Sequence, residues 1–219
     1  MFSRASKGRL TVKDLGRVQD ATLFHRIARA VCRAGCLPRK ELFEAWEVAR
    51  RVRRRFRGGR VVDLGGGHGL LAQILLLLDN SSPHALVVDR QIPASGARVR
   101  DVLVDAWPRL DGRVSFANKS VADVPLFPTD LVVSCHACGQ LTDQVLARAV
   151  GVRARLAVVP CCHDLLDGDT GRLDGWIAGD LAIDIIRARH LVRCGYRIWT
   201  QIIPADITPK NRVLLGAPE

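Results

Sequence analysis

One stretch of this sequence restricts the possible folds more than any other, the stretch from Val61 to Gly69. It reads Val-Val-Asp-Leu-Gly-Gly-Gly-His-Gly, and the apolar, helix-like stretch Leu70 to Leu78 follows at once. Glycines are needed where a backbone turns tightly and comes within contact distance of a ligand. A β-rich run, a glycine turn and a helix in this order predict the first βαβ unit of a nucleoside-binding α/β fold.

The rest of the chain supports this fold class. From Arg60 onward, short β-rich runs alternate with helical stretches, which is typical of βαβ units and a parallel sheet. We expect five parallel strands near residues 60–64, 85–89, 113–117, 130–134 and 155–159. After a last helix near 174–194, the runs Tyr196–Ile203 and Arg212–Gly216 are separated only by Pro204 to Asn211. This segment is too short for a crossover helix, so the two runs should pair antiparallel.

The sequence therefore predicts an α/β, Rossmann-like, seven-stranded and mostly parallel sheet with an antiparallel terminal hairpin and an amino-terminal helical extension. A helical pattern begins at Asp20, and a second helix should run from about Arg39 to Phe56 because its apolar residues fall on one stripe. We divide the chain into a loose basic leader (1–19), a helical cap (20–58) and a cofactor-binding domain (59–219).

Two aspartates accompany the glycine loop. Asp63 lies two residues before Gly65, and Asp89 ends the second strand, 24 residues after Gly65. That spacing is close to the roughly 20 residues expected for a carboxylate that binds ribose hydroxyls. Such a loop could also hold the pyrophosphate of NAD, although 219 residues leave little room for the second substrate-binding region of a dehydrogenase.

The order of residues from Asp63 to Gly69 resembles motif I of the class I methyltransferases, and the terminal hairpin is the ending typical of their fold. This resemblance implies that S-adenosyl-L-methionine is the cofactor. It further implies that Asn118 and Ser120, after the third strand, flank the adenine base, and it adds Ser134 at the end of the fourth strand. The implied cofactor-binding residues are Asp63, Gly65, Gly67, Gly69, Asp89, Asn118, Ser120 and Ser134.

Polar clusters follow the fourth and fifth strands, where α/β sheets bind their ligands. The fourth strand leads into Cys135-His136-Ala137-Cys138-Gly139, and the fifth leads into Pro160-Cys161-Cys162-His163. Together with a Leu-Thr-Asp run after the first cluster and with Ile207–Asn211, they resemble one methyltransferase branch over roughly Pro38 to Gly216. That branch contains the eukaryotic tRNA ribose methyltransferase that modifies the acceptor stem.

We predict that His136, Cys138 and His163 border the transferred methyl group. A hydroxyl acceptor needs a proton acceptor, and imidazole titrates near neutrality. Alternatively, the histidines hold the two loops together. The cysteines and His163 suit tetrahedral zinc, but 22 residues separate the cysteine pairs and adjacent cysteines rarely share one ion. We therefore expect no metal, although the sequence leaves zinc open.

Charge favours a polyanionic partner. The chain has 33 lysines and arginines against 22 aspartates and glutamates, a net charge of +11, and phosphate contacts release bound counterions. We expect RNA (tRNA or rRNA, with a ribose hydroxyl as one acceptor) to bind the basic helix at Arg50–Arg60. The alternatives are a small-molecule methyltransferase and a non-catalytic S-adenosylmethionine-binding protein. Arginine-rich composition can also reflect genome base bias.

The sequence also carries expectations about location. No apolar run approaches the roughly 20 residues that a membrane span needs, and the basic first residues lead into no apolar segment of a secretion signal. Seven cysteines, an odd number, argue against a disulfide framework. We expect a cytoplasmic protein with reduced thiols and no membrane contact. The sequence makes no prediction of oligomeric state.

Overall fold

A computed structural model describes residues 3–135 and 137–219. Within these residues, seven strands form one sheet in the order β3-β2-β1-β4-β5-β7-β6. The strands β1 to β5 are parallel to one another, and β7 pairs antiparallel with both β5 and β6. The strands are β1 Val61–Leu64, β2 Ala85–Asp89, β3 Val114–Asn118, β4 Leu131–Ser134, β5 Arg155–Val158, β6 Tyr196–Ile202 and β7 Arg212–Pro218.

Helices cover both faces of the sheet. The described helices are α1 Leu23–Ala34, α2 Arg39–Arg55, α3 Leu70–Leu78, α4 Ser95–Ala106, α5 Gln140–Gly151 and α6 Gly179–Arg193. Strand residues alternate between the two faces. Val61 and Val133 therefore pack with α1 to α4 in one apolar core, whereas Val62 and Val132 pack with α5 and α6 in another. A sheet that is buried on both faces explains why its central strands are almost entirely apolar.

The order of the strands determines where a ligand site can form. The strands β1 and β4 are neighbours, although β2 and β3 lie between them in sequence. The strands that follow β1 are added on one side of it as far as β3 and on its other side from β4 onward. Such a switch point opens a crevice at the carboxyl ends of the strands. Because β6 runs in the same direction as β5, its last residue, Ile202, lies at this same edge.

The predicted fold class is confirmed, and most strands agree with their predicted bounds to within one or two residues. The last helix begins at Gly179 and not near 174. The segment predicted as a leader, residues 1–19, is described from residue 3 onward. Leu10 and Val18 are buried, and a 3-10 helix at Val12–Arg17 packs beside α1. These two apolar side chains are too widely spaced to produce a periodic pattern, yet their burial fixes the segment.

None of the helices in the described part of the chain combines the length and the apolar character that a membrane span requires.

Candidate active site

The glycine loop between β1 and α3 is shaped by backbone hydrogen bonds and by close packing. The amides of Gly65 and Gly66 both donate to the carbonyl of Val88, at 2.8 and 3.1 Å. Gly69, directly before α3, has a φ of 72°, and a Cβ there would lie 2.8 Å from Cγ2 of Val87. Only glycine fits that position without displacing β2. The loop is therefore held against the end of β2.

Gly67 has the opposite surroundings. Its φ is 50°, and no heavy atom of the described residues outside its immediate neighbours lies within 4 Å of the position that its Cβ would take. The backbone at this point faces open space at the carboxyl edge of the sheet. The loop thus leaves its central glycine accessible to a ligand.

Asp89 is positioned at the end of β2 by the same loop. Its Oδ2 accepts a hydrogen bond from the amide of Gly67 at 3.1 Å, and its Oδ1 accepts one from the amide of Gln91 at 3.2 Å. Each carboxylate oxygen can accept a further hydrogen bond. The carboxylate is therefore pre-oriented but not saturated, as a binding site for ligand hydroxyl groups requires.

Asp63 lies beneath the loop and is buried. Its Oδ2 has no hydrogen-bond partner among the described residues. Burial raises the pKa of this carboxyl to about 7, a hydrogen bond from the amide of Ala72 opposes the shift, and the nearby charge of Asp89 adds to it. A buried carboxyl with an unused oxygen favours a cationic or hydrogen-bonding ligand group at this place.

These features border a cavity of about 540 Å³. Its lining includes Glu41, Gly65 to His68, Asp89, Lys119, Val121 and Leu141. Glu41 belongs to α2, so the helical cap contributes directly to the site. Its Oε1 lies 3.5 Å from Nδ1 of His68, and Nε2 of His68 lies 2.9 Å from Oγ of Ser95. The cap, the glycine loop and the start of α4 are thereby connected.

The side chains of the three remaining residues that the sequence assigned to the cofactor make hydrogen bonds within the protein. Oδ1 of Asn118 accepts from the amide of Ile92 at 2.9 Å, and Oγ of Ser120 accepts from the amide of Ala122 at 3.3 Å. Ser134 is buried, and its Oγ donates to the carbonyl of Leu64 at 2.6 Å, which joins β4 to β1. Their predicted contacts with a cofactor stay predictions.

The sequence-predicted catalytic residues lie at the ends of β4 and β5, except that His136 lies outside the described residues. Cys138 is exposed, and its Sγ lies 2.9 Å from Sγ of Cys161. The side chain of His163 is buried, with only 1% of it exposed, and its Nε2 lies 2.7 Å from Oδ1 of Asp184. Its Nδ1 has no hydrogen-bond partner among the described residues. The two loops are thus brought together, as predicted.

Comparison with known proteins identifies the family. A family model described as a methyltransferase domain matches residues 41–169, which is more than half of the chain. This chain belongs to that methyltransferase family. The matched segment begins at Glu41 and includes the glycine loop, Asp89 and both cysteine loops. The family establishes the enzyme class of the domain as a methyltransferase and its cofactor as S-adenosylmethionine, which selects between the two cofactors that the sequence left open.

Three relatives illustrate the range of similar proteins. A human protein named for its glutathione S-transferase C-terminal domain is 23% identical over 74% of this chain and 30% of its own length. The tRNA methyltransferase TrmK of B. subtilis superposes with a TM-score of 0.52 and 14% identity, covering 78% of this chain and 65% of TrmK. A precorrin-6y methyltransferase from Geobacter metallireducens gives a TM-score of 0.50 and 11% identity, covering 80% and 84%.

These similarities concern one domain and its fold. The chain spans about 30% of the length of the curated relatives it matches. The structural neighbours share the fold of the methyltransferase domain at low sequence identity, and one of them acts on tRNA whereas another acts on a precorrin. The fold alone therefore does not select the substrate.

The residues of the site fit S-adenosylmethionine. Its ribose hydroxyls are hydrogen-bond donors, which suit the pre-oriented carboxylate of Asp89. Its ammonium group is a cationic donor, which suits a lining that contains Glu41 and lies next to the unpaired oxygen of Asp63. The cavity volume of about 540 Å³ falls within the roughly 300–1,000 Å³ typical of small-molecule sites.

Proposed function

We propose that this protein is an S-adenosylmethionine-dependent methyltransferase that acts on RNA, in tRNA or rRNA, with a ribose hydroxyl as the acceptor. One observation carries the choice of RNA, a basic surface that α2 and β6 form together. This basic patch consists of Arg50, Arg54, Arg55 and Arg197, and all four side chains are exposed.

Two arginines of the basic patch lie over one tryptophan. The guanidinium of Arg55 lies 5.2 Å from the ring centroid of Trp199, and that of Arg197 lies 5.3 Å from the same ring. Arginine stacks on planar groups and also binds phosphate through two parallel hydrogen bonds, so it suits RNA better than a bare positive charge would. Two arginines held over one indole are ordered before a partner arrives, which lowers the entropic cost of binding.

The helix that carries most of this surface also leads to the site. Arg54 and Arg55 lie at the end of α2, and the chain directly after that end contacts Arg155, the first residue of β5, at the amino edge of the sheet. The first turn of α2 lies at the opposite edge, where Glu41 lines the cavity. A polynucleotide on the basic patch would therefore follow α2 toward its first turn to reach the methyl donor.

Not all of Arg50–Arg60 is free for phosphate. Arg53 is buried and hydrogen-bonds to Ser82 and to the carbonyl of Leu75, and Arg60 pairs with Asp130 at 2.6 Å. Arg53 is not available to a partner, because its side chain lies between α2 and α3. Phosphate contacts from this segment are expected from its exposed members.

The chemistry of the proposed reaction assigns tasks to residues of the chain. When bound, S-adenosylmethionine supplies an electrophilic methyl group. Asp63, Asp89, Glu41 and the glycine loop would hold it in orientation, and alignment supplies much of the rate of an in-line displacement. The acceptor hydroxyl must lose a proton. If Nε2 of His163 donates to Asp184, Nδ1 is the ring nitrogen left to accept that proton.

Replacement of His163 tests this assignment. For His163→Asn we expect kcat to fall by about 100-fold or more, which is a typical contribution of a general base, while the affinity for S-adenosylmethionine remains unchanged. His190→Asn, at an exposed histidine of α6, serves as the control. Unchanged turnover in His163→Asn would remove the histidine from the mechanism and would assign it to loop structure.

The substrate class is tested by methyl transfer and by salt dependence. We expect label from S-adenosylmethionine to enter an RNA fraction, and we expect Arg54→Ala/Arg55→Ala to reduce the slope of log affinity against log salt. Two lost phosphate contacts change that slope by about 1.4 for single-stranded nucleic acid. Arg189→Ala/Arg193→Ala removes the same charge from exposed positions of α6 and should leave the slope nearly unchanged.

Each other outcome has a definite meaning. Label in a small-molecule fraction, with no RNA binding at low salt, would replace RNA by a small-molecule substrate. Cofactor binding without transfer to any cellular fraction would identify a non-catalytic S-adenosylmethionine-binding protein.

A further inference from the structure

Three cysteine thiols from two separate loops meet at the reaction edge of the sheet. The Sγ atoms of Cys138, Cys161 and Cys162 all lie within 4.8 Å of one another, and the Cys138–Cys161 distance is 2.9 Å. Cys138 follows β4, and the adjacent pair follows β5. Because β4 and β5 are neighbouring parallel strands, the 22 intervening residues in sequence separate these thiols very little in space.

Three sulfur atoms at such distances match the requirements of a thiophilic cation. In tetrahedral zinc sites the Zn–S distance is about 2.3 Å, which separates two ligand sulfurs by about 3.8 Å. The cluster therefore needs only small side-chain adjustments to surround one ion. Oxygen-preferring cations such as Mg²⁺ and Ca²⁺ are poorly matched to three thiolates, whereas Zn²⁺ is well matched.

The two loops that carry the thiols are fixed to each other. The amide of Gly139 donates to the carbonyl of Cys162 at 2.8 Å, and the amide of Val159 donates to the carbonyl of Ser134 at 2.9 Å. Behind them, a guanidinium nitrogen of Arg187 lies 3.3 Å from the carbonyl of Gly139. Backbone contacts of this kind hold ligand-bearing loops at their separation before an ion binds, as an effective metal site requires.

Burial raises the pKa of both the Cys138 and the Cys161 thiol, so at neutral pH neither is a reactive thiolate. A dication replaces the thiol protons and offsets the repulsion between three adjacent thiolates, which links metal binding to proton release.

We propose that Cys138, Cys161 and Cys162 bind one Zn²⁺ ion through three thiolates, with no fourth ligand from the described residues. Cys138 and Cys162 are exposed, so the ion would be accessible from the carboxyl edge of the sheet. Three protein ligands and one open position are the arrangement of zinc sites that bind a water molecule or a substrate atom. This proposal replaces our expectation of no metal, and it does not depend on the identity of the substrate.

Metal titration of the full chain tests the proposal. The reduced protein, kept with a non-thiol reductant, is titrated with Co²⁺ as a spectroscopic probe and then with Zn²⁺ against a chromophoric chelator. We expect one ion per chain, with thiolate-to-cobalt charge-transfer absorption and the visible bands of tetrahedral cobalt, both abolished by Zn²⁺. The absence of saturable binding, or an octahedral cobalt spectrum without charge transfer, would overturn the proposal.

Single variants identify the ligands. Cys138→Ser, Cys161→Ser and Cys162→Ser should each weaken zinc binding by about 100-fold or more, because loss of an outer-shell partner alone costs about 10- to 100-fold. Cys194→Ser is the matched control, since Cys194 lies outside the cluster with its Sγ 3.6 Å from Nε2 of His190. Equal zinc affinity in the three variants and the control would overturn the assignment.

Folding and cofactor binding are measured in parallel. Thermal unfolding and S-adenosylmethionine titration of each variant distinguish loss of the metal site from loss of the fold. Failure of zinc binding in a folded, cofactor-binding chain overturns only the zinc proposal, and the methyltransferase assignment is unaffected. The zinc proposal would also be overturned by a Cys138–Cys161 disulfide in the unreduced protein together with no zinc binding after reduction. That result would identify the two cysteines as a disulfide-forming pair.

Discussion

Asp63 and Asp89 show how two carboxylates of one site differ through their surroundings. Asp89 is partly exposed and held by two backbone amides, whereas Asp63 is buried with one unpaired oxygen. Burial raises the pKa of Asp63 to about 7. The apo protein therefore has a titratable group beneath its glycine loop, and the bound cofactor would bring positive charge close to it.

This shift predicts a pH dependence of stability. Asp63 has its ordinary pKa of 3.8 in the unfolded chain and about 7 in the folded chain, so the folded state binds more protons between these values. The contribution of Asp63 to the free energy of unfolding should therefore decrease as pH rises from about 4 to 7. Urea unfolding of wild type and Asp63→Asn over this range isolates the effect as a difference between the two proteins.

The difference in stability between wild type and Asp63→Asn should shift in favour of the variant as pH rises, and then level off above the folded-state pKa. A difference that is constant with pH would show that the Asp63 carboxyl is already ionised in the folded protein under acidic conditions. Addition of S-adenosylmethionine should reduce the wild-type pH dependence, since a nearby cation favours the ionised carboxylate.

At the residue scale, the sequence predicted best those site residues whose chemical type and whose position at the end of a strand indicate the same role. The glycine loop and Asp89 were predicted because each follows a strand directly. Glu41 was not predicted, since the face of α2 that meets the glycine loop is decided by packing between distant segments. The prediction about metal at the cysteines involves the same kind of packing. The prediction used separation along the chain as its guide to metal binding, although two neighbouring strands bring residues that are distant in sequence close together in space.

At the scale of elements, α2 has two roles on two faces of one helix: one face packs against α3, and the other exposes arginines. Some of its arginines, among them Arg50 and Arg54, are exposed, whereas Arg53 is buried. The guanidinium of Arg53 donates to the carbonyls of Leu75 and Phe56 and to Oγ of Ser82, and it lies 3.3 Å from Asp79. The amphipathic pattern predicted the helix and its apolar stripe. It could not reveal that one arginine of a basic run is buried, because the partners of that arginine come from α3 and the loop after it.

This division predicts opposite effects for two adjacent residues. Arg53→Ala should lower the free energy of unfolding by about 3–5 kcal/mol, because it leaves Asp79 with a weakened ion-pair network and opens a cavity. Arg54→Ala should change it by less than about 0.5 kcal/mol. Chemical denaturation of the two variants checks the prediction. Similar losses in both would mean that Arg53 is solvated and that its buried contacts are weak.

At the scale of the whole molecule, the succession of parallel strands and the terminal hairpin were accessible from the sequence because they depend on local periodicity and on the length of connections. The packed segment at residues 3–19 was not, since it is held by isolated contacts such as the amide of Leu10 donating to the carbonyl of Leu37 at 2.9 Å. The choice of substrate depends on the protein surface around the site, and neither the sequence pattern nor the shared fold determines that choice.

The central claim is that this molecule binds S-adenosylmethionine through the glycine loop and Asp89. It is tested most directly by isothermal titration of the purified chain with S-adenosylmethionine and with NAD. Asp89→Ala is the test variant, and Asp111→Ala, at an exposed residue just before β3, is the control. We predict saturable S-adenosylmethionine binding in wild type and control, weakened by about 10- to 100-fold in Asp89→Ala, since hydrogen bonds to a charged group contribute about 1.5–3 kcal/mol. Binding of NAD without S-adenosylmethionine, or an Asp89→Ala affinity equal to that of wild type, would contradict it.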